Sequence, residues 1–119
     1  MDALVDGFLA AGEDAQPEAV AAWVTIAAEA IRDDEVRQAY AAALHRFHDL
    51  FTRVVADGVD QGIFDTGELS NDECAAALLS TIQGYFNLAA TARDIIPPGS
   101  AAPATRRMLR GLLAPRQVP

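Results

Sequence analysis

Two histidines and an aspartate in the middle of the chain have a spacing that could support metal binding. His45 and His48 are three residues apart, and Asp49 follows His45 by four. On a helix such residues share one side, and imidazole and carboxylate groups are ligands for Zn²⁺ and related ions. The apolar periodicity, however, places His45 opposite a stripe centred on Phe47 and places His48 at the edge of that stripe. We therefore expect no shared cavity and no metal site, a solvated His45, and a His48 able to hydrogen-bond a small molecule.

A run of acidic residues in a turn-rich stretch raises calcium binding as a second possibility. The run lacks the alternating ligand positions and the central glycine of an EF-hand loop. We therefore expect a solvated acidic surface, in which the residues close to helix starts act as caps. The run comprises Asp57, Asp60, Asp65, Glu68, Asp72 and Glu73.

Residues suited to catalysis are sparse. No serine or cysteine stands in a nucleophile motif, no glycine-rich phosphate loop exists, and no carboxylate pair falls on an apolar face. Cys74, the only cysteine, is predicted in the first turn of a helix, where the helix dipole could lower the pKa of its thiol. No histidine or asparagine motif accompanies it. The sequence thus favours a protein that is not an enzyme and needs no cofactor, in a reducing, cytoplasmic compartment.

Six aromatic residues carry most of the ring surface and could surround a mostly apolar pocket. A packed core is the alternative interpretation for each of them. Polar anchors would come from Asn87, from Thr91 and from the hydroxyls of Tyr40 and Tyr85, if these groups face inward. The candidate ligand-binding residues are Trp23, Tyr40, Phe47, His48, Phe51, Tyr85, Phe86 and Asn87.

Helices must position these side chains, because the apolar residues recur with helical spacing and no alternating, strand-like run is present. Glycine, proline and capping residues divide the chain into about five segments. The predicted helices are Asp2 to Ala11, Pro17 to Arg32, Asp34 to about Gln61, Asn71 to about Arg93, and Pro103 to about Leu113. We therefore predict an all-α fold, an antiparallel helical bundle in a single domain over 1–119, with a frayed tail over 115–119.

Two local motifs mark the boundaries between the predicted helices. Ser70 and Glu73 have the spacing of a capping box, in which each side chain accepts a hydrogen bond from the backbone N–H of the other residue. Gly62 followed by Ile63 is typical of a left-handed C-terminal cap with a hydrophobic contact. The two motifs predict the end of the long helix and the start of the next.

The helix predicted from Asn71 is apolar on two sides. One side carries large core residues such as Leu78 and Ile82. The other side is a small-residue stripe, which consists of Ala77, Thr81, Gly84 and Leu88. A helix that is apolar on two sides must be covered on two sides. Either a second copy of the chain or the last helix of the same chain could cover the small-residue stripe, and periodicity favours neither.

Charge and composition exclude several classes of protein. The chain has 9 basic residues, all arginine, against 17 acidic ones, so its net charge of −8 disfavours binding to nucleic acid. No basic leader and no run of about 18 apolar residues is present, so we expect no secretion signal and no membrane span. The apolar fraction of 51% suggests an oligomer interface or a ligand cavity. The alanine and arginine bias is typical of a GC-rich bacterial genome.

Four motifs follow one another along nearly the whole chain. They are Trp23 on an early helix, the acidic start of the long helix at 33–37, the G-x-x-x-G-x-F sequence from Gly58 to Phe64, and the apolar helix with Gln83-Gly84-Tyr85. Their order and spacing resemble the C-terminal domain of TetR-family transcriptional regulators, and most of all the BetI-type domains.

The resemblance implies that the last two helices form a four-helix dimer interface with those of a second copy. It also implies a pocket for an effector among the earlier helices, so the expected partners are a homodimer mate and a small apolar effector. The candidate dimer residues are Ala77, Thr81, Gly84, Leu88, Met108 and Leu112.

The family's N-terminal helix-turn-helix has no counterpart in this sequence, and residues 1–12 resemble the end of the helix that connects it. We therefore expect an effector-sensing and dimerisation domain without its DNA-binding domain, which does not bind DNA by itself. The alternative is a stand-alone helical dimerisation protein that sequesters full-length regulators. The sequence leaves open whether the shorter chain is natural and which effector it takes.

Overall fold

A computed structural model of the chain describes Val5 and residues 17–114, and all regular structure in this part is helical. The elements are α1 (Pro17–Ala30), α2 (Asp34–Asp60), α3 (Asn71–Thr91), a 3₁₀ turn (Arg93–Ile95) and α4 (Ala101–Leu112). The prediction of an all-α fold is therefore confirmed. The predicted first helix, apart from a helical Val5, and the tail 115–119 lie outside the described residues.

The helix bounds differ from the prediction by one or two residues. Helix α1 ends two residues early, at Ala30, and α3 ends at Thr91, where the 3₁₀ turn takes over. Helix α4 begins at Ala101, so Pro103 is its third residue rather than its first. Proline is tolerated there because the N–H groups of a first helical turn have no carbonyl to bond within the helix.

Side chains cap α2 and α3 at their N-termini. The Asp33 carboxylate accepts hydrogen bonds from the N–H groups of Glu35 (2.9 Å) and Val36 (3.2 Å). The predicted capping box of α3 is confirmed: the Glu73 N–H donates to Ser70 Oγ, and the Ser70 N–H donates to Glu73 Oε1, both at 3.0 Å. The hydrogen bonds with Ser70 hold the pKa of the Glu73 carboxyl below its ordinary value.

Helix α2 ends in the predicted left-handed cap. Gly62 has a φ of 76°, which an L-residue rarely adopts. The Ile63 N–H donates to the Gly58 carbonyl (2.8 Å), and the Gly62 N–H donates to the Val59 carbonyl (3.0 Å). These two bonds form the Schellman motif.

Phe64 makes a close hydrophobic contact beyond this cap. Ile63, the residue expected to supply the contact, is 54% exposed. The ring of Phe64 instead lies directly on Gly58, so close that a Cβ at Gly58 would overlap it. The G-x-x-x-G-x-F spacing thus combines a turn glycine with a glycine that leaves room for an aromatic ring.

The core lies between α2, α3 and α4. Helices α2 and α3 run antiparallel, because Tyr40 near the start of α2 bonds Gln83 in the second half of α3, while His48 reaches Asp72 at the start of α3. Helix α1 packs against both, and α4 packs against α3. The buried residues of this core are Val5, Phe51, Val55, Cys74, Ala75, Leu78, Ile82, Ile96, Ala101, Leu109 and Leu113.

The fold is thin in one direction. Its principal extents are 50 × 34 × 19 Å, and the shortest of them is roughly two helix diameters. Within the part of the chain that the structure describes, no helix is both long and apolar enough to cross a membrane.

Candidate functional site

An aromatic cluster joins the first three helices through one side-chain amide. Trp23 of α1 donates its indole N–H to Gln83 Oε1 of α3 at 2.8 Å, and the hydroxyl of Tyr40 on α2 donates to the same oxygen at 3.3 Å. The rings of Trp23 and Tyr40 lie 4.8 Å apart between centroids, and Phe47 follows at 6.3 Å from Trp23. Trp23, Tyr40 and Phe47 form the aromatic cluster.

The environment of the cluster keeps Tyr40 protonated. Burial raises the pKa of the Tyr40 phenol above its ordinary value, because the charged form would lose its hydration. The hydroxyl therefore remains a hydrogen-bond donor over the physiological range. Gln83 Oε1 accepts from both aromatic side chains, whereas the Gln83 amide N–H groups donate to no described residue.

A groove of about 320 Å³ lies between α2 and α3, one to two helical turns from Gln83. Its floor is apolar, and its polar groups are the two histidine rings and a serine. The α2–α3 groove is lined by Ala41, Leu44, His45, His48, Ala76, Leu79 and Ser80. A small, mostly apolar molecule with one or two polar atoms fits such a lining.

The two histidines meet at this groove, which corrects the expectation that they share no cavity. Both His45 and His48 line it, although His45 is exposed as predicted. Periodicity describes one helix at a time, so it placed the two histidines on different sides of α2. It does not include α3, which runs alongside α2 and forms the second wall of the groove. The Nε2–H of His48 donates to the carbonyl of Asp72 at 3.2 Å.

The acidic run remains exposed, and no group of three or more histidine, cysteine or acidic side chains suited to a metal ion occurs among the described residues. Two of the acidic side chains have local structural roles. Glu73 completes the α3 capping box, and Asp65 Oδ1 accepts from the Gly67 N–H at 2.8 Å in the turn before it.

Several of the predicted ligand-binding residues lie apart from the groove. Phe51 is fully buried in the core, so its side chain has no access to a ligand in this conformation. Tyr85 and Phe86 are partly buried and pack against the core. Asn87 is exposed, and its backbone carbonyl accepts from the Thr91 hydroxyl at 2.7 Å.

The small-residue stripe of α3 faces a second, smaller groove beside α4. This α3–α4 groove has a volume of about 200 Å³ and is lined by Ala77, Leu78, Thr81, Thr105, Met108, Leu109 and Leu112. Helix α4 covers the stripe only in part: a Cβ on Gly84 would meet no atom within 4 Å, and Met108 is 52% exposed. We call this surface, from Ala77 to Leu88 on α3 and from Thr105 to Leu112 on α4, the α3–α4 face.

Cys74 is not an activated thiol, in contrast to the effect expected from the helix dipole. Its side chain is 1% exposed, and burial together with the neighbouring Glu73 carboxylate raises the pKa of the thiol. The loss of hydration outweighs the dipole at this position.

Three polar residues of these surfaces were not predicted as binding or interface residues. Gln83 belongs to the aromatic cluster, Ser80 to the α2–α3 groove and Thr105 to the α3–α4 groove. Gln83 carried a usable signal, because an amide within an otherwise apolar helix needs partners. Ser80 and Thr105 carried none, since both residues are ordinary on a helix surface.

Comparison with known proteins assigns the family. The family described as "BetI-type transcriptional repressor, C-terminal" matches residues 1–114. Searches of curated proteins and of solved structures give no significant match. The family match covers almost the whole chain, and the all-helical fold agrees with the resemblance found in the motifs. The chain belongs to the family of BetI-type transcriptional repressor C-terminal domains.

Proposed function

We propose that this domain pairs two copies of a TetR-type regulator through the α3–α4 face and senses a small, mostly apolar effector in the α2–α3 groove. The observation that carries the proposal is the position of α3. This helix is one wall of both surfaces, and it has no charged residue from Cys74 to Ala92.

The α3–α4 face has the composition of an interface between helices. Its small residues allow close approach of another helix, and the open space at Gly84 is available to a side chain of a partner. Met108 and the half-buried Leu88 and Leu112 supply apolar area. Apolar groups beside small residues favour association, because burial of apolar surface stabilises a complex by about 25 cal/mol per Å² before the costs of association.

The α2–α3 groove has the composition of a ligand site. Its volume of about 320 Å³ is near the lower end of the range for small-molecule pockets, which is roughly 300–1,000 Å³. His48 and Ser80 offer polar atoms at opposite walls, while Leu44 and Leu79 provide the apolar floor. The effector we propose is therefore apolar over most of its surface, with one polar group near the histidines that accepts or donates a hydrogen bond.

The two surfaces are coupled through α3. An effector that fits one position of α3 better than another shifts the population toward that position. Because the opposite side of the same helix belongs to the α3–α4 face, the shift changes how two copies sit against each other. In a regulator this change alters the spacing of the two DNA-reading parts, and the linkage is reciprocal.

Disruption of the α3–α4 face is the test of dimerisation. Gly84→Leu fills the space that a partner helix needs, and Met108→Glu places a carboxylate where it would lose its hydration. We expect both variants to sediment as monomers at concentrations where the wild type is a dimer. Ile31→Glu is the matched control, since Ile31 is 79% exposed in the α1–α2 turn and the same charge is introduced there. Face variants that dimerise like the wild type contradict the proposal.

Filling the α2–α3 groove is the test of effector binding. Ala76 lines the groove, so Ala76→Phe places a ring inside it, whereas Ala42→Phe adds the same ring on an exposed part of α2. The probe is 1-anilinonaphthalene-8-sulfonate, whose fluorescence rises in apolar sites. We expect Ala76→Phe to lose probe binding and Ala42→Phe to retain it. Native mass spectrometry of the purified protein reports the dimer mass and any co-purified ligand together. Equal probe binding in both variants contradicts the proposed groove.

A further inference from the structure

Side-chain hydrogen bonds connect α2 to α3 at both ends of the α2–α3 groove. The Nε2–H of His48 donates to the Asp72 carbonyl at 3.2 Å, and the Tyr40 hydroxyl donates to Gln83 Oε1 at 3.3 Å. We call these bonds the His48 bridge and the Tyr40 bridge. Every residue that lines the groove is a member of a bridge or lies between the two bridges along its helix. The groove is therefore open along its side and has a bridge at each end.

The separation of the bridges sets the length of a molecule that fits between them. Tyr40 and His48 are eight residues apart on α2. On a helix this separation corresponds to about 12 Å. An extended covalent chain advances by about 1.2 Å per bond, since a residue with three backbone bonds spans at most ~3.6 Å. A linear ligand with roughly eight bonds between heavy atoms therefore fills most of the distance between the bridges.

The His48 bridge determines which nitrogen of the neutral ring carries the proton. A backbone carbonyl only accepts, so the bond to Asp72 requires the proton on Nε2. Nδ1 of the neutral ring is then an acceptor, and no described residue donates to it. His48 is half-buried and lines the groove, so a ligand hydroxyl at this end can donate to Nδ1.

No fixed charge lines the groove among the residues that the structure describes. The lining is apolar apart from the two imidazole rings and the Ser80 hydroxyl, and it contains no Asp, Glu or Arg. An ionised group inside the groove would lose its hydration without gaining a counter-charge. Ala41 and Ala76 leave room for apolar atoms beside Leu44 and Leu79. The part of a ligand that lies in the groove is therefore uncharged, mostly apolar and able to donate one hydrogen bond.

We propose that the α2–α3 groove selects an uncharged, elongated alcohol by its length and holds it between the two bridges with its hydroxyl on His48 Nδ1. This inference rests on the proposed effector site and adds the class of its ligand. A molecule shorter than the distance between the bridges leaves apolar lining in contact with water, whereas the extra atoms of a longer one lie outside the groove. The Tyr40 bridge closes the apolar end, because Tyr40 and Gln83 already bond each other.

The test of length uses the linear 1-alkanols from 1-butanol to 1-decanol as probes. Their dissociation constants are measured by displacement of 1-anilinonaphthalene-8-sulfonate from the wild type. We expect the affinity to rise about fourfold with each methylene group up to 1-octanol, as burial of each group predicts. From 1-octanol to 1-decanol we expect no further rise. A rise that continues at the same rate to 1-decanol overturns the inference.

Ala41→Leu shortens the groove, because Ala41 lines it next to the Tyr40 bridge. We expect the rise in affinity to stop at 1-hexanol in this variant, while 1-butanol binds within about twofold of the wild type. Ala42→Leu adds the same side chain on an exposed part of α2 and should keep the wild-type profile. A uniform loss of affinity for all alkanols in Ala41→Leu overturns the inference, because the length of the groove would then not decide which ligand binds.

The test of the hydroxyl compares 1-hexanol with 1-methoxypentane, which has the same number of heavy atoms and no donor. We expect the wild type to bind the alcohol about fivefold more tightly, as one hydrogen bond predicts. His48→Leu should lose this preference, and His45→Leu, which changes the other histidine of the groove, should keep it. A wild type without the preference, or an equal loss in both variants, overturns the role of His48.

The proposed function and this inference fail in different ways. If Ala76→Phe loses binding of 1-anilinonaphthalene-8-sulfonate but the alkanols show no length limit, the effector groove stands and the selection by length is wrong. A wild type that binds neither the sulfonate probe nor any alkanol contradicts both.

Discussion

Gln83 joins three helices through a single oxygen atom. Trp23 comes from α1 and Tyr40 from α2, and both donate to the same Gln83 carbonyl oxygen on α3. Their polar atoms need an acceptor, because they are partly buried. The amide therefore fixes how the aromatic cluster sits beside the α2–α3 groove.

Removal of this acceptor should destabilise the fold. Gln83→Leu keeps a side chain of similar size but leaves the indole N–H and the phenol of the aromatic cluster without their partner. We expect a loss of about 1–2 kcal/mol in the free energy of unfolding, measured by urea denaturation. We also expect a shift of the Trp23 fluorescence, since the indole loses its hydrogen bond.

Asn87→Leu is the control for this prediction. Asn87 is an exposed amide one turn further along α3, and its side chain has no described partner among the cluster. We expect its unfolding free energy to change by less than about 0.5 kcal/mol. Equal losses in the two variants would show that Gln83 acts only through helix packing.

At the residue scale, the sequence predicted which residues take part in these contacts better than it predicted which residues they contact. The aromatic cluster consists entirely of predicted residues, because large rings on apolar stripes are visible in one helix at a time. Phe51 was predicted in the same way, yet it is in the core. Periodicity identifies the face of a helix and does not tell which neighbouring helix covers it. Gln83 was not predicted as a site residue for the same reason, since its hydrogen bonds join different helices.

The end of α2 depends on a glycine that makes room for an aromatic ring. A Cβ at Gly58 would overlap the ring of Phe64, which lies against the helix there. Helix propensity alone would favour alanine over glycine at this position by about 1 kcal/mol. Packing and propensity therefore oppose each other at Gly58.

We expect packing to win, so that Gly58→Ala lowers the free energy of unfolding by about 1–3 kcal/mol. Gly111→Ala is the matched control on α4, where a Cβ would meet no atom within 4 Å. This second substitution should be neutral or stabilise by up to about 1 kcal/mol. Thermal and urea unfolding of both variants measure the difference. A stabilised Gly58→Ala would mean that Phe64 moves aside at little cost.

The elements themselves were largely predictable because their boundaries are local. The Asp33 cap, the Ser70 and Glu73 capping box and the Gly62 turn all arise from residues within a few positions of one another. The contact of Phe64 with Gly58 is less local and was not predicted. The start of α4 was misplaced because proline is accepted anywhere in a first helical turn.

The part of the molecule that the structure describes is thin and extended. Its radius of gyration is 15.4 Å, and its shortest principal extent is 19 Å. A thin fold exposes more surface per residue, which agrees with the exposed apolar groups such as Met108 and Ile95. The high apolar fraction thus occurs in a fold that leaves one of its helix faces incompletely covered.

The uneven charge distribution of the molecule leads to a prediction about pairing. Arg107→Glu and Arg53→Glu each change the net charge from −8 to −10, one on α4 and the other on an exposed part of α2. We expect Arg107→Glu to raise the dimer dissociation constant about tenfold, because it introduces an acid on α4, a helix of the α3–α4 face that carries three arginines and no acidic residue. Arg53→Glu should change it by less than about threefold.

Sedimentation equilibrium at low and at moderate salt measures both variants. Equal weakening would mean that only the net charge of the copies governs their association.

Composition gave the net charge of the chain directly, but which surface lies beside the arginines of α4 depends on the fold. Periodicity likewise left two alternatives for what covers the small-residue stripe, a second copy of the chain or the last helix of the same chain. The structure places α4 beside the stripe and leaves Gly84 open.

The packing of Phe64 on Gly58 has a consequence for the lengths of chain that this fold accepts. Five residues separate the two positions, and they are used to end α2, turn at Gly62 and return the ring to the helix. One inserted or deleted residue would rotate Phe64 away from Gly58 even if every side chain were kept. Among related domains, this segment should therefore vary in residue type at its exposed positions while its number of residues stays constant, and insertions should collect in the turn between Phe64 and Ser70.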